Sequence, residues 1–246
     1  MKRRIGFYEK YIKRGLDIAL SLTALAAFGW LFALIALLVR IKMGSPVIFR
    51  QPRPGIIDPE TGRETIFDMY KFRTMTDARD KDGRLLPDSQ RLPKFGRMLR
   101  ASSLDELPEF INILKGDMSF IGPRPQLVRD MVFMSDRVRM RHTARPGLTG
   151  LAQVNGRNAI TWEQKFEWDL KYISDVSLAK DMKIALLTFK KVFGRGKSSA
   201  ETEVTDDYGD ALLKAGRINK AKYDKLQAKA NLLLTEHERS TMHHRG

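Results

Sequence analysis

The sequence predicts an α+β protein, mainly helical, in which an N-terminal re-entrant membrane helix is followed by a cytosolic domain carrying amphipathic interfacial helices and a short β-hairpin. Three observations predict it. Residues 18–39 form an uncharged apolar run, basic residues crowd both flanks of that run, and the remainder alternates short helical patterns with turns rich in Gly, Pro and Arg. The expected division is a membrane segment over 1–43, a folded domain over 44–193 and a polar extension over 194–246.

The composition limits the chemistry. With 43% apolar residues in 246, the chain can bury a core, so disorder throughout is excluded. It contains no cysteine, which excludes disulfides and Cys-ligated zinc or iron–sulfur sites; a metal would have to be held by carboxylates, waters, histidines or substrate phosphates. A formal charge of +15 points to an anionic partner, and nucleic acid, anionic lipid and phosphate-rich small molecules all meet that condition. The distribution says more. Residues 1–53 carry ten Lys/Arg against only Glu9 and Asp17, a net +8 gathered around the apolar run.

From Ile18 to Val39 the run has 22 uncharged residues, about 33 Å of helix against a hydrocarbon core of about 30 Å. It exceeds the usual apolar region of a secretory signal, and no small-x-small cleavage site precedes Arg40-Ile41-Lys42. Positive residues mark the cytoplasmic side, yet Lys13 and Arg14 precede the run while Arg40 and Lys42 follow it. A re-entrant helix resolves the conflict by returning both flanks to one layer of anionic headgroups. Gly29, beside Trp30, is the expected weak point, with Ser21 and Thr23 able to satisfy freed carbonyls.

Residues 44–75 read as a hairpin, with extended stretches at Val47-Ile48-Phe49 and Ile66-Phe67 around a turn-rich Pro52 to Gly62. After a polar loop over 76–90, helical spacing appears at Phe95, Met98 and Leu99, then at Leu104, Leu107, Ile111 and Leu114. Loops follow at 121–126 and 144–158, then amphipathic helices at 161–175 and 178–193. The second pairs Met182, Ile184, Leu186, Leu187, Phe189, Val192 and Phe193 with Lys180, Lys183, Lys190 and Lys191. It suits either a membrane surface or a core with solvated lysines. Beyond Gly194, a Gly/Lys/Ser/Glu-rich stretch leads to a polar helical segment ending at Leu234.

Ser103-Leu104-Asp105-Glu106-Leu107-Pro108 places two carboxylates at the expected head of a helix. One reading is a capping box, Ser103 with Glu106, whose acidic residues complement the helix dipole. The other is chemical: an aspartate ionised at neutral pH attacks a phosphoryl centre without a separate base, and the neighbouring glutamate holds a divalent metal. Mg2+ fits, since it uses one or two carboxylates and fills its octahedron with waters and phosphates. Fixed cations would come from Gly122-Pro123-Arg124-Pro125, where two prolines stiffen the backbone around one guanidinium. Arg145-Pro146-Gly147-Leu148-Thr149-Gly150 and Gln153-Val154-Asn155-Gly156-Arg157 offer glycines for close backbone approach and planar donors for a nucleotide. His142, His237, His243 and His244 do not form a ligand set.

Taken in order, these blocks resemble the bacterial small monotopic phosphoglycosyl transferases, which start the assembly of membrane-linked glycans. The resemblance covers about Lys13 to Phe193. It rests on the apolar segment, Gly44-Ser45-Pro46-Val47-Ile48-Phe49, Tyr70-Lys71-Phe72-Arg73-Thr74-Met75, Leu104-Asp105-Glu106-Leu107, Lys115-Gly116-Asp117-Met118-Ser119, Gly122-Pro123-Arg124-Pro125 and Arg145 through Arg157. It implies a cytosolic catalytic domain on the cytoplasmic face of the bacterial inner membrane. It also implies a ping-pong reaction in which Asp105 takes a sugar phosphate from a UDP-sugar, UMP leaves, and polyprenyl (undecaprenyl) phosphate collects the sugar phosphate. By resemblance Asp105 is the nucleophile and Glu106 its partner, both at the Mg2+. Lys71, Arg100 and Arg124 match phosphate contacts; Arg145, Gln153, Asn155 and Arg157 match the nucleotide loop. Relatives carry Ser-Pro in the middle of the membrane segment, where this chain has Gly29-Trp30, and the extension after Gly194 lies outside the resemblance.

The expected partners are therefore a UDP-sugar, polyprenyl phosphate and anionic membrane lipids, with no nucleic acid; a homo-oligomer or downstream glycosyltransferases are compatible further partners. The sugar is left open among N-acetylated, diacetamido and plain hexoses. Two rival readings stand beside this one: a non-enzymatic basic adaptor at membranes or nucleic acids, and a single-step transferase in which Asp105 only binds metal. The first does not explain an Asp-Glu pair amid phosphate-type loops, and no aromatic-interleaved nucleic-acid motif is present.

Overall fold

The computed structural model describes residues 3–156, 160–193 and 206–243. A π-helical turn at Tyr8–Ile12 leads into α1 (Lys13–Met43), followed by β1 (Ile48–Ile57), β2 (Glu64–Phe72), α2 (Asp88–Arg91) and α3 (Lys94–Ala101). A 3-10 turn at Leu104–Glu106 precedes α4 (Glu109–Lys115), β3 (Ser119–Ile121), α5 (Val128–Met131) and α6 (Asp136–Arg139). After a second 3-10 turn at Met140–Thr143 come β4 (Gly147–Thr149), α7 (Leu151–Val154), α8 (Trp162–Ile173), α9 (Leu178–Phe193), α10 (Tyr208–Lys214) and α11 (Lys220–His243). The protein is mainly helical with two small sheets, β1 with β2 and β3 with β4.

The chain divides into two compact units. One comprises Leu16–Gln51 and Met69–Gly116. Its core gathers Ile35, Val39 and Met43 of α1 with Phe72 and Leu99, and Phe95, Leu104 and Leu107 pack around them. The three α1 residues recur every fourth position and so share one helix face. Each buried side chain contributes about 1.5–3 kcal/mol, which fastens the C-terminal third of α1 to α3. The rest of the helix surface is apolar and open, with Leu22, Phe28, Trp30, Leu34, Leu37 and Ile41 exposed. α1 is α-helical without interruption through Gly29, and a Cβ there would meet nothing within 4 Å. Among the described residues this is the one helix long and apolar enough to cross a membrane.

The other unit comprises Met1–Gly15, Pro52–Asp68 and Asp117–Gly246. Its main core joins Ile121, Val154, Tyr172, Ile173 and Ile184. Asp181 of α9, almost fully buried, accepts hydrogen bonds from Tyr8 Oη (2.9 Å) and Tyr172 Oη (2.8 Å) and pairs with Lys13. Arg3 donates to Thr143 Oγ1 at 2.8 Å. The residues leading into α1 are thus bonded to α9 and to the turn before β4. The extension after residue 205 also joins this unit's core: Tyr208 and Leu212 pack with Met134 and Phe166, and Ala230 packs with Val128 and Met131.

Sequence spacing placed α8 and α9 well: α8 starts at a capping box, Thr161 with Gln164, and α9 has the expected limits. Two expectations are corrected. The hairpin turn is at 58–63, closed by Asp58 N–H donating to Arg63 O at 2.8 Å, because β1 runs on through Pro52 and Pro54. A two-stranded sheet has only edge strands, where proline is tolerated. The helical pattern from Phe95 to Leu114 is divided in two, since Ser103 adopts a left-handed conformation (φ 56°).

Candidate active site

The Asp105–Glu106 pair stands ahead of α4, in a 3-10 turn that Ser103 introduces. Ser103 is the one non-glycine residue with positive φ among the described residues, and its side chain makes no cap hydrogen bond. The capping-box reading is therefore overturned: Glu106 turns to Lys71, whose Nζ lies 2.8 Å from Glu106 Oε1. Left-handed backbone at a residue with a Cβ costs of order 1 kcal/mol or more, and here it directly precedes the acidic pair.

Segment 70–74 uses each residue in turn. Tyr70 N–H donates to Asn112 Oδ1 (2.9 Å), Lys71 reaches Glu106 and also Glu109 (3.2 Å), and Phe72 enters the core. Arg73 donates to Ser45 O (2.7 Å) and Met75 O (2.8 Å), and Thr74 Oγ1 accepts from Arg100 Nε at 3.0 Å. Lys71, Arg100, Asp105 and Glu106 are thereby gathered in one unit. Asp105 is buried, and burial pushes its carboxyl above the usual value; Lys71 and Arg100 oppose the rise while Glu106 adds to it. A carboxylate with a raised pKa is, in its ionised form, a stronger base than an exposed one, and the cations beside it favour that form.

The remaining predicted residues belong to the other unit. β3 and β4 pair in parallel, Ser119 with Gly147 and Ile121 with Thr149. A Cβ at Gly122 would lie 2.3 Å from Arg145 O, one at Gly147 2.1 Å from Gly122 N, and one at Gly150 2.1 Å from Gly122 O. These glycines let two backbone segments interlock; the close approach expected for a ligand is made to the protein itself. The interlock brings the Arg124 and Arg145 loops together. Gln153 Nε2 donates to Leu148 O (3.0 Å) and Asn155 Nδ2 to Leu151 O (2.7 Å), so both amide groups brace their own loop. Arg157 lies outside the described residues.

Sequence reasoning missed Glu109, which is 1% exposed and shares the Lys71 ammonium with Glu106. Its spacing of three from Glu106 puts the two on one helical face, a signal that the Pro-Glu start of α4 concealed. His142 Nδ1 donates to Glu64 Oε1 (3.1 Å), and burial holds its imidazole well below the usual range, at about 4. His237 meets Asp68 at 3.0 Å; the side chains of His243 and His244 lie outside the described residues. No group of three or more metal-ligating side chains occurs among the described residues. The Asp105–Glu106 pair offers oxygen donors only, the chemistry of a hard cation completed by waters and phosphates.

Residues 8–195 match the bacterial sugar transferase family. An uncharacterized sugar transferase of Bacillus subtilis is 46% identical over 181 residues, 74% of this chain and 87% of that relative. The chain belongs to the bacterial sugar transferase family. Within these sugar transferases it is also 39% identical over 188 residues to the UDP-glucose:undecaprenyl-phosphate glucose-1-phosphate transferase of Caulobacter vibrioides, covering 72% of this chain and 67% of the relative. An Aeromonas hydrophila relative, a UDP-N-acetylgalactosamine-undecaprenyl-phosphate N-acetylgalactosaminephosphotransferase, is 36% identical over 191 residues. There the alignment spans 74% of this chain and 44% of the relative. All of the predicted site residues fall inside the family match.

Proposed function

We propose that this sugar transferase moves a sugar 1-phosphate from a UDP-sugar to polyprenyl phosphate through a covalent intermediate on Asp105. A carboxylate oxygen of Asp105 attacks the phosphorus that bears the sugar, an acyl phosphate bond forms, and the pyrophosphate P–O bond breaks to release UMP. An oxygen of polyprenyl phosphate then attacks the same phosphorus, which restores the carboxylate and yields polyprenyl diphosphate sugar. Burial of Asp105 beside the Lys71-held Glu106 is the observation that carries this reading. Asp105 and Glu106 would hold Mg2+, which when bound neutralises charge on the leaving phosphate. Lys71 and Arg100, which steady the acidic pair, and Arg124 would contact phosphates, and the loop from Arg145 to Arg157 would take the nucleotide. The relatives' names support the substrate classes and include both glucose and N-acetylgalactosamine. In a UMP-release assay with UDP-sugars, Mg2+ and polyprenyl phosphate, Asp105→Asn should lose at least about 10³-fold in rate. Release at the parental rate would remove the covalent step.

The same proposal makes α1 a re-entrant anchor in the cytoplasmic face of the membrane. The basic flanks support it, as does the outer side of α9, where Leu178, Met182, Leu186 and Phe189 are exposed along one stripe while Ile184 is buried. A helix apolar on two sides, one in the core and one open beside Lys183, Lys190 and Lys191, suits anionic lipid headgroups.

A further inference from the structure

We propose that the segment after residue 205 is a brace for the Gly122–Pro125 loop, with Tyr208, Phe166 and Arg141 as positioning residues that hold the backbone of Arg124. The inference rests on the reading of Arg124 as a phosphate contact, and the segment lies beyond the stretch matched by the family. Arg141 is 1% exposed, and its Nη2 donates to Arg124 O at 2.6 Å. Asp169, equally buried, accepts from Nε (2.9 Å) and Nη2 (2.6 Å), and Nη1 lies 3.2 Å from His142 Nε2. The guanidinium is therefore fixed from one side by a carboxylate and spends a donor on the loop that carries Arg124.

Arg141 Cζ lies over the ring of Phe166, 5.9 Å from its centroid. Tyr208 meets Phe166 edge to face at 5.0 Å and Trp162 at 5.5 Å. Tyr208 is held in place twice over. Its N–H donates to Asp130 Oδ1 at 2.8 Å, and Trp162 Nε1 donates to Asp206 O at 3.0 Å. Asp130 belongs to α5, which starts four residues after Arg124, so the extension grips the loop's outgoing chain as well as its carbonyl. Arg129 of the same helix pairs with Asp207 and Asp210. A cation covered by an aromatic ring keeps its orientation because both stacking and desolvation penalise tilting. Removing the Tyr208 ring takes away the edge-to-face support of Phe166 and loosens Arg141, and the Arg124 carbonyl with it.

The experiment is equilibrium binding of UDP to the full chain, which reads phosphate recognition without the chemical step. Tyr208→Leu keeps apolar volume and drops the ring; it should weaken UDP binding about fivefold at unchanged stoichiometry. Tyr208→Phe should bind as the parent does. Arg124→Ala should weaken binding at least as much, and the Arg124→Ala/Tyr208→Leu pair should bind no more weakly than Arg124→Ala alone. A merely structural role lowers the fraction of binding-competent protein at parental affinity, and that result overturns the brace. Multiplying effects in the pair overturn it too. Parental affinity in Arg124→Ala overturns the underlying reading of Arg124, and the inference falls with it. A result in which Arg124→Ala weakens binding while Tyr208→Leu does not refutes the brace alone.

Discussion

The Lys71 ammonium lies 2.8 Å from Glu106 and 3.2 Å from Glu109, and Glu109 is all but sealed from water. Glu106 is partly open and can be rehydrated; Glu109 cannot. Lys71→Met therefore takes a cation away from a buried carboxylate, and loss of one partner of a buried pair costs about 3–5 kcal/mol. Adding Glu109→Gln removes the buried charge that Lys71 balanced, so Lys71→Met/Glu109→Gln should be more stable than Lys71→Met. Urea denaturation midpoints measure this, and a double variant no more stable than Lys71→Met would contradict the pairing. The comparison also shows what could be read in advance. Asp105 was visible only as one of several ordered blocks, because Ser-x-x-Glu reads locally as a cap. Glu109 was hidden by its place after Pro108, where an acidic residue normally complements a helix dipole. Ser103 gave no warning of positive φ, a conformation fixed by the surroundings rather than by the serine.

At the scale of elements, α5 and α10 meet through a buried charge. Asp130 is pushed up from about 3.8 to about 6, first by burial and then by Asp207; Tyr208 N–H, Arg129 and Arg53 oppose the rise, and Lys165 also faces it. Between those values the folded state holds more protons than the unfolded one, so this contribution to stability falls as pH rises from about 4 to about 6 and stays lost above. Asp130→Asn keeps an oxygen for Tyr208 N–H and drops the titration. The variant should melt above the parent at pH 7.5, by no more than about 3 kcal/mol, with the gain gone near pH 4. His142, depressed to about 4, and Glu64, depressed to about 2, bend stability the opposite way in acid. They are common to both proteins, so they cancel in the difference. A gain equal at both pH values would refute the assignment. Elements were legible in the sequence where periodicity ran long, as in α9, and illegible where strands are three residues. β3 and β4 are defined by the mutual fit of Gly122 and Gly147, a tertiary contact that no period of two announces.

For the whole molecule, the two ends of α1 are each tied to a different part of the chain. At the N-terminal end Lys13 and Tyr8 hold Asp181, and Arg3 holds Thr143. At the other end Ile35, Val39 and Met43 are packed with Phe72 and Leu99. Among the described residues between Met43 and Asp181, no second helix is long and apolar enough to cross a bilayer. If α1 spanned, the chain from Met43 back to Asp181, the partner of Lys13, would have to recross hydrocarbon, where each unsatisfied backbone group costs several kcal/mol. The re-entrant anchor proposed above puts both flanks on one face, where the ten basic residues of segment 1–53 suit a single layer of anionic headgroups. Because the chain has no cysteine, Arg4→Cys and Lys42→Cys each introduce a single reactive thiol. In intact spheroplasts a membrane-impermeant maleimide should label neither, and after lysis it should label both. Labelling of one but not the other before lysis would mean that α1 spans the membrane, and the re-entrant anchor would have to be abandoned.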